Sequence, residues 1–214
     1  VIPSLSRVDT LKDRTLVSLV SIDKSNIYIF VIKEEYDKYK EALPDYNIVI
    51  GPLGCAEQKR YISNYFEEGD KWLFLDDDIK AFYKKDGSYL KPIEPQVLFD
   101  HTFEMMDRYK AHLCGLYPAN PFFMRMKLRK GLSFSIGQFQ AVINHRHVFD
   151  TFEYRILEDY ERSIRYFLDY KTIRLDYITL EADYNKLDGG WQSESQKRHV
   201  ELKEAELVRF QEQY

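Results

Sequence analysis

Trp72-Leu73-Phe74-Leu75-Asp76-Asp77-Asp78-Ile79 decides how this chain is read. An unbroken run of four large apolar residues, entered from Gly69-Asp70, fits a strand covered on both faces. It runs straight into three adjacent carboxylates. Like charges crowded at the end of a buried strand repel one another and raise each other's pKa values. A hard divalent cation removes that cost, because Mg²⁺ or Mn²⁺ prefers carboxylate oxygen and bridges to phosphate. A single Asp here would read as a cap on the next element; three in succession point to a metal site.

Upstream, strand and helix signals alternate. Ile2 to Leu5 is a short apolar start, and Asp9 or Thr10 caps a helix expected to run to about Val20. Ile27 to Ile32 reads as a strand, and Lys33 to Leu43 as a charged helix stopped by Pro44. Tyr46 to Ile50 is the next strand, and Ala56 to Glu68 the next helix. Repeated strand-helix-strand units with short connections predict an α/β domain with a mostly parallel central sheet flanked by helices. Ligands of such sheets gather at the carboxyl ends of the strands, where Asp76 to Asp78 fall.

Downstream the pattern loosens. Helices are expected over Pro95 to His112 and Arg155 to Tyr170. Strands are expected over Leu113 to Tyr117, Leu132 to Asn144 with an interruption at Gly137, and Ile173 to Tyr184. Residues 1–192 read as one domain, and 193–214 as a charged helix leading toward a further one. The bulk numbers agree: 214 residues suffice for one sizeable core, with 44% hydrophobic and 31% charged residues. No run approaches the length of a membrane span, and Val1-Ile2-Pro3-Ser4 lacks the features of a signal peptide. Two cysteines, Cys55 and Cys114, exclude a Cys-rich zinc site and fit a reducing compartment. A net charge of −4 makes a nucleic-acid backbone an unlikely main partner. The local basic run Arg125, Lys127, Arg129 and Lys130 reads first as a solvated loop.

The chain resembles the GT-A glycosyltransferases, which open with a nucleotide-binding βαβ region and carry Asp-x-Asp after the fourth strand. Trp72 to Ile79 matches that motif in sequence and position. Ile2-Pro3-Ser4-Leu5-Ser6-Arg7 resembles the loop that cradles the nucleotide, Gly54 through Arg60 a segment that approaches it, and Glu158-Asp159 the Glu-Asp pair near the acceptor. The likeness extends to glycosyltransferase domains of multidomain chlorella-virus proteins and to glucosyltransferases of hydroxymethylated DNA bases. It implies transfer of a hexose or deoxyhexose from a UDP-sugar to a glycan, in the host cytoplasm for a viral protein, with DNA as the alternative acceptor. It implies Asp76 and Asp78 as ligands of Mn²⁺ or Mg²⁺, and Pro3, Ser4, Arg7, Arg60, Asp76 and Asp77 along the nucleotide sugar. Gly190 and Trp191 would join them, the indole stacking on the sugar. Asp159, with Glu158 in reserve, would act on the acceptor hydroxyl. His145, His147 and His199 are further candidates for the metal shell. Two other readings stay open: a haloacid-dehalogenase-type phosphotransferase with an Asp nucleophile, and a silent nucleotide- or glycan-binding module.

Overall fold

The structure, a computed structural model, describes residues 1–150, 154, 157–183 and 205–212. Its first half is built from β1 (Ile2–Pro3), α1 (Val8–Asp13), α2 (Thr15–Ser18), β2 (Tyr28–Val31), α3 (Tyr36–Ala42), β3 (Asn47–Ile50), α4 (Cys55–Tyr65) and β4 (Lys71–Leu75). β1, β2 and β3 pair in parallel, with Ile2 opposite Ile29 and Phe30 opposite Val49. Val1 N donates to Leu73 O at 2.6 Å and Leu75 N to Val1 O at 3.0 Å, which is the spacing of a parallel bridge. These bonds stitch β1 to β4, so the strands run side by side as β3, β2, β1, β4.

The second half adds β5 (Ile79–Asp86), β6 (Tyr89–Pro92), α5 (Pro95–Tyr109), β7 (Ala111–Leu116), β8 (Leu128–Lys130), β9 (Phe139–Ile143), α6 (Arg146–Phe149), α7 (Glu158–Asp169), β10 (Lys171–Leu175) and β11 (Ile178–Ala182). A five-stranded sheet has the order β4-β9-β7-β10-β8. The expectation of a mostly parallel sheet holds for β3-β2-β1-β4, while the five-stranded sheet is mixed: β9 runs antiparallel to both β4 and β7, β8 antiparallel to β10, and β7 with β10 is parallel. An apolar run such as Phe139-Gln140-Ala141-Val142-Ile143 reports burial on both faces, not direction. β5 pairs with β6 and β11 in a small antiparallel sheet beside the aspartates.

Strand β4 shows why the first reading succeeds. Leu73 and Leu75 enter one core with Leu11, Ile29, Leu98 and Leu116. Trp72 and Phe74 enter a second, on the opposite face, with Phe30, Ile62, Val142 and Phe149. Each fully buried side chain of this size is worth roughly 1.5–3 kcal/mol, so both faces pin the register that leaves Asp76 to Asp78 at the strand's end. α5 starts at Pro95 in its first turn and stops at Lys110, which is left-handed at φ 52°. The single helix expected from Asp9 or Thr10 to Val20 is broken at Arg14, with φ −120° and ψ −87°. Of the expected charged helix at 193–214, residues 205–212 are helical and the rest lies outside the described residues.

Candidate active site

The Asp76-Asp77-Asp78 turn is held by a buried hydroxyl. Thr15 Oγ1 donates to Asp76 O at 2.8 Å and accepts from Ile79 N at 2.9 Å. The break at Arg14 starts α2 at Thr15, which sets this hydroxyl under the turn. On the other side Asp76 N donates to Gln138 O at 3.3 Å and Asp183 N to Asp78 O at 3.1 Å.

The loop after β1 closes over the carboxylates. Ser6 is left-handed at φ 56°, an uncommon state for a residue with a Cβ. Glu35 holds it there through the Ser6 amide at 2.9 Å and hydroxyl at 2.6 Å. The chain then brings Arg7 Nη1 to 3.4 Å from Asp77 Oδ1 and 4.0 Å from Asp78 Oδ2. Ser4 Oγ donates to Asp77 Oδ2 at 2.7 Å and lies 2.8 Å from the Tyr39 hydroxyl, which therefore supplies the other proton. Asp77 is thus occupied by protein partners. Asp78 is 3% exposed, and its Oδ1 is buried with no hydrogen-bond partner among the described residues. Burial and the Asp77 charge push Asp78 up to about 6. Burial also pushes Asp76 up to about 7, although Lys59 pulls the other way.

A second charged group lies behind the first. Lys59 on α4 ion-pairs with Glu158 at the start of α7, and Arg162 Nη1 reaches Glu158 Oε2 at 2.8 Å. Burial would raise the Glu158 carboxyl, but Arg162 and Lys59 outweigh it and hold it below its ordinary value. Glu158 is therefore a locked counter-ion. Its neighbour Asp159 faces outward to the loop, where Gly137 N donates to Asp159 Oδ2 at 3.1 Å. Burial and the Glu158 charge push Asp159 up to about 6, a value suited to proton transfer near neutrality. A Cβ on Gly137 would lie 3.6 Å from both Asp159 Oδ2 and Lys59 Nζ, which puts the base candidate and the buried lysine at one spot.

The structure brings Ser4, Arg7 and Asp76 to Asp78 together, with Glu158 and Asp159 joined to them through Lys59. Pro3 is buried in β1, opposite Phe30. Arg60 points from α4 toward α6, its Nε 3.4 Å from Phe149 O. Gly190, Trp191 and His199 lie outside the described residues. His145 pairs with Glu68 and His112, and His147 with Asp169, beyond the start of β4 and so at the end opposite Asp76. Sequence reasoning missed Lys59, although a lysine one turn from Ile62 on the apolar face of α4 is the signal for it. Burial pushes the Cys55 thiol up to about 12, away from the thiolate form.

A hard cation fits the chemistry of the turn, because a buried carboxylate oxygen lacking a donor is what it would satisfy. Among the described residues no three His, Cys, Asp or Glu side chains converge as a metal shell. The remaining ligands would come from water or phosphate oxygen.

No protein-family model matches the chain, and no curated protein matches it in sequence. Its fold is similar to the crystal structure of S. aureus TarS residues 1–349, with a TM-score of 0.54 and 13% identity over 82% of this chain. The chain spans 56% of that structure's length. Weaker likenesses are to 4-diphosphocytidyl-2C-methyl-D-erythritol synthase from Anaerococcus prevotii DSM 20548 (TM-score 0.47, 14% identity, covering 82% of this chain and 87% of that one). The bifunctional IspDF from Campylobacter jejuni is comparable, at TM-score 0.46, 14% identity and 87% and 47% coverage. Fold and sheet order define a mixed α/β domain of the GT-A-like, Rossmann-related build.

Proposed function

We propose that this domain is a metal-dependent glycosyltransferase that moves a hexose or deoxyhexose from a UDP-sugar to a carbohydrate acceptor. The observation that carries the proposal is Asp78 Oδ1, buried without a donor in an acidic turn at the carboxyl end of β4. Asp76 and Asp78 would hold Mn²⁺ or Mg²⁺, which when bound neutralises the diphosphate and its developing charge as it leaves. Arg7 presents a guanidinium at the same spot, suited to phosphate oxygens. Asp159, fixed by the Gly137 amide, takes the proton of the acceptor hydroxyl in an inverting transfer. The DNA-modifying and phosphotransferase readings have no comparable observation behind them.

Calorimetry with UDP-glucose and Mn²⁺ tests the proposal. Binding should weaken strongly in EDTA and in Asp78→Asn; unchanged binding in both rejects the metal assignment. Product analysis separates the chemistry, since glycosyl transfer from UDP-glucose releases UDP whereas uridylyl transfer from it would release glucose 1-phosphate.

A further inference from the structure

We propose that the turn following β7 is a membrane-docking tip that seats on an anionic lipid surface. The proposal stands on the tip itself and not on the transferase reading.

The segment is built to hold apolar rings in solvent. Asn120 Oδ1 accepts from Phe122 N at 2.9 Å, and Pro121–Phe123 forms a single 3₁₀ turn. Met124 is buried and anchors the far side, with its carbonyl accepting from Lys85 Nζ at 2.8 Å. Between these anchors Phe122 is 82% and Phe123 65% exposed, their rings edge to face at 5.3 Å. Met126 is 60% exposed beside them. The capped turn carries both rings in solvent, and contiguous exposed apolar surface marks a place of interaction.

The charges around the rings select the occupant. Residues 117–132 contain Arg125, Lys127, Arg129 and Lys130 and not one Asp or Glu, in a chain whose net charge is −4. Arg129 pairs with Asp176 and Lys130 lies over the Tyr109 ring. Arg125 and Lys127 are exposed and carry no ion pair among the described residues. Exposed apolar rings followed in the chain by exposed cations suit a bilayer surface, with rings at the acyl boundary and ammonium or guanidinium groups at anionic headgroups. A single-strand nucleic-acid surface would set stacking rings along an extended basic groove, whereas here the two rings sit edge to face on a single turn. Tyr117, Pro118 and Pro121 also line a cleft with Gln138, whose carbonyl holds the Asp76 amide. Docking would bring that cleft to the lipid surface.

Vesicle flotation tests this with phosphatidylcholine alone and with added phosphatidylglycerol. Binding is expected only to the anionic vesicles. Phe122→Ser/Phe123→Ser and Arg125→Glu/Lys127→Glu should each weaken it by about tenfold or more, with unchanged circular dichroism because all four side chains are exposed. No binding to anionic vesicles, equal binding by the variants, or equal binding to a soluble oligonucleotide would overturn the proposal, the last converting the tip into a polyanion site.

Discussion

Asp76 and Glu158 are both carboxylates set against Lys59, and they resolve the conflict between burial and charge in opposite ways. Glu158 touches two cations and is held ionised. Asp76 has no ion pair among the described residues and rises to about 7. A carboxyl raised from its ordinary value of 3.8 binds more protons folded than unfolded between those limits. Its contribution to stability therefore falls as pH rises from about 4 to 7. Asp76→Asn removes that penalty. Without added metal it should stabilise the protein by roughly 1–2 kcal/mol at pH 8, and far less near pH 4. Urea unfolding at the two pH values checks it, and equal effects at both would show that Asp76 is not strained. The two α7 acids should separate just as clearly. Glu158→Gln leaves Lys59 and Arg162 short of a counter-ion, and should cost about 3–5 kcal/mol of stability. Asp159→Asn should fold and bind UDP-sugar yet lose transfer. In the parent protein the rate should fall as pH drops through about 6, where Asp159 takes up its proton. Transfer assays beside denaturant melts check both, and near-normal transfer by Asp159→Asn would remove it as the base.

At the scale of single elements, what could be read from sequence was burial, and what could not was direction and pairing. Trp72 to Leu75 alternates between two cores, so four apolar residues sufficed to place a strand and the acids at its end. The β5–β6 hairpin escaped, although Asp86-Gly87 between two strand-forming stretches is a turn signal. The Leu132 to Asn144 run was expected to be strand but yields only β9, because Ser133 and Ser135 are buried in an irregular segment packed on β7 and α7. That contact is testable. A Cβ on Gly115 in β7 would meet Ser135 Oγ at 2.2 Å, Cβ at 2.8 Å and backbone Cα at 3.1 Å. Gly115→Ala should therefore cost roughly 1–3 kcal/mol as overpacking. Adding Ser135→Gly should recover part of the loss, since the side-chain clash goes and the backbone contact remains. Thermal melts of the two single variants and the double variant measure the coupling; strictly additive effects would mean the strand and loop do not touch as described.

Across the whole molecule, the four strands β3, β2, β1 and β4 make a parallel half that carries Ser4, Arg7 and the aspartates. The mixed half carries Asp159 and the cleft at Tyr117. The parallel half was legible because each crossover helix is announced in sequence. The mixed half was not, because an apolar strand such as β9 reports burial but not the antiparallel direction in which it pairs with β4 and β7. The same global view bears on the acceptor. Lys and Arg number 31 against 35 Asp and Glu, and the acid-free basic stretch is confined to one segment at the sheet edge, ending in β8. A DNA-modifying enzyme neutralising six or more phosphates loses about a thousandfold or more in affinity between 50 and 200 mM salt. A net charge of −4 does not favour a contact of that extent. A labelled hydroxymethylated duplex should therefore show no saturable anisotropy change at micromolar protein in about 150 mM salt, a physiological ionic strength. Transfer to a carbohydrate acceptor should vary little over the same salt range, because neutral hydroxyls release no counterions. Micromolar duplex binding with a steep salt slope would replace the carbohydrate acceptor with DNA.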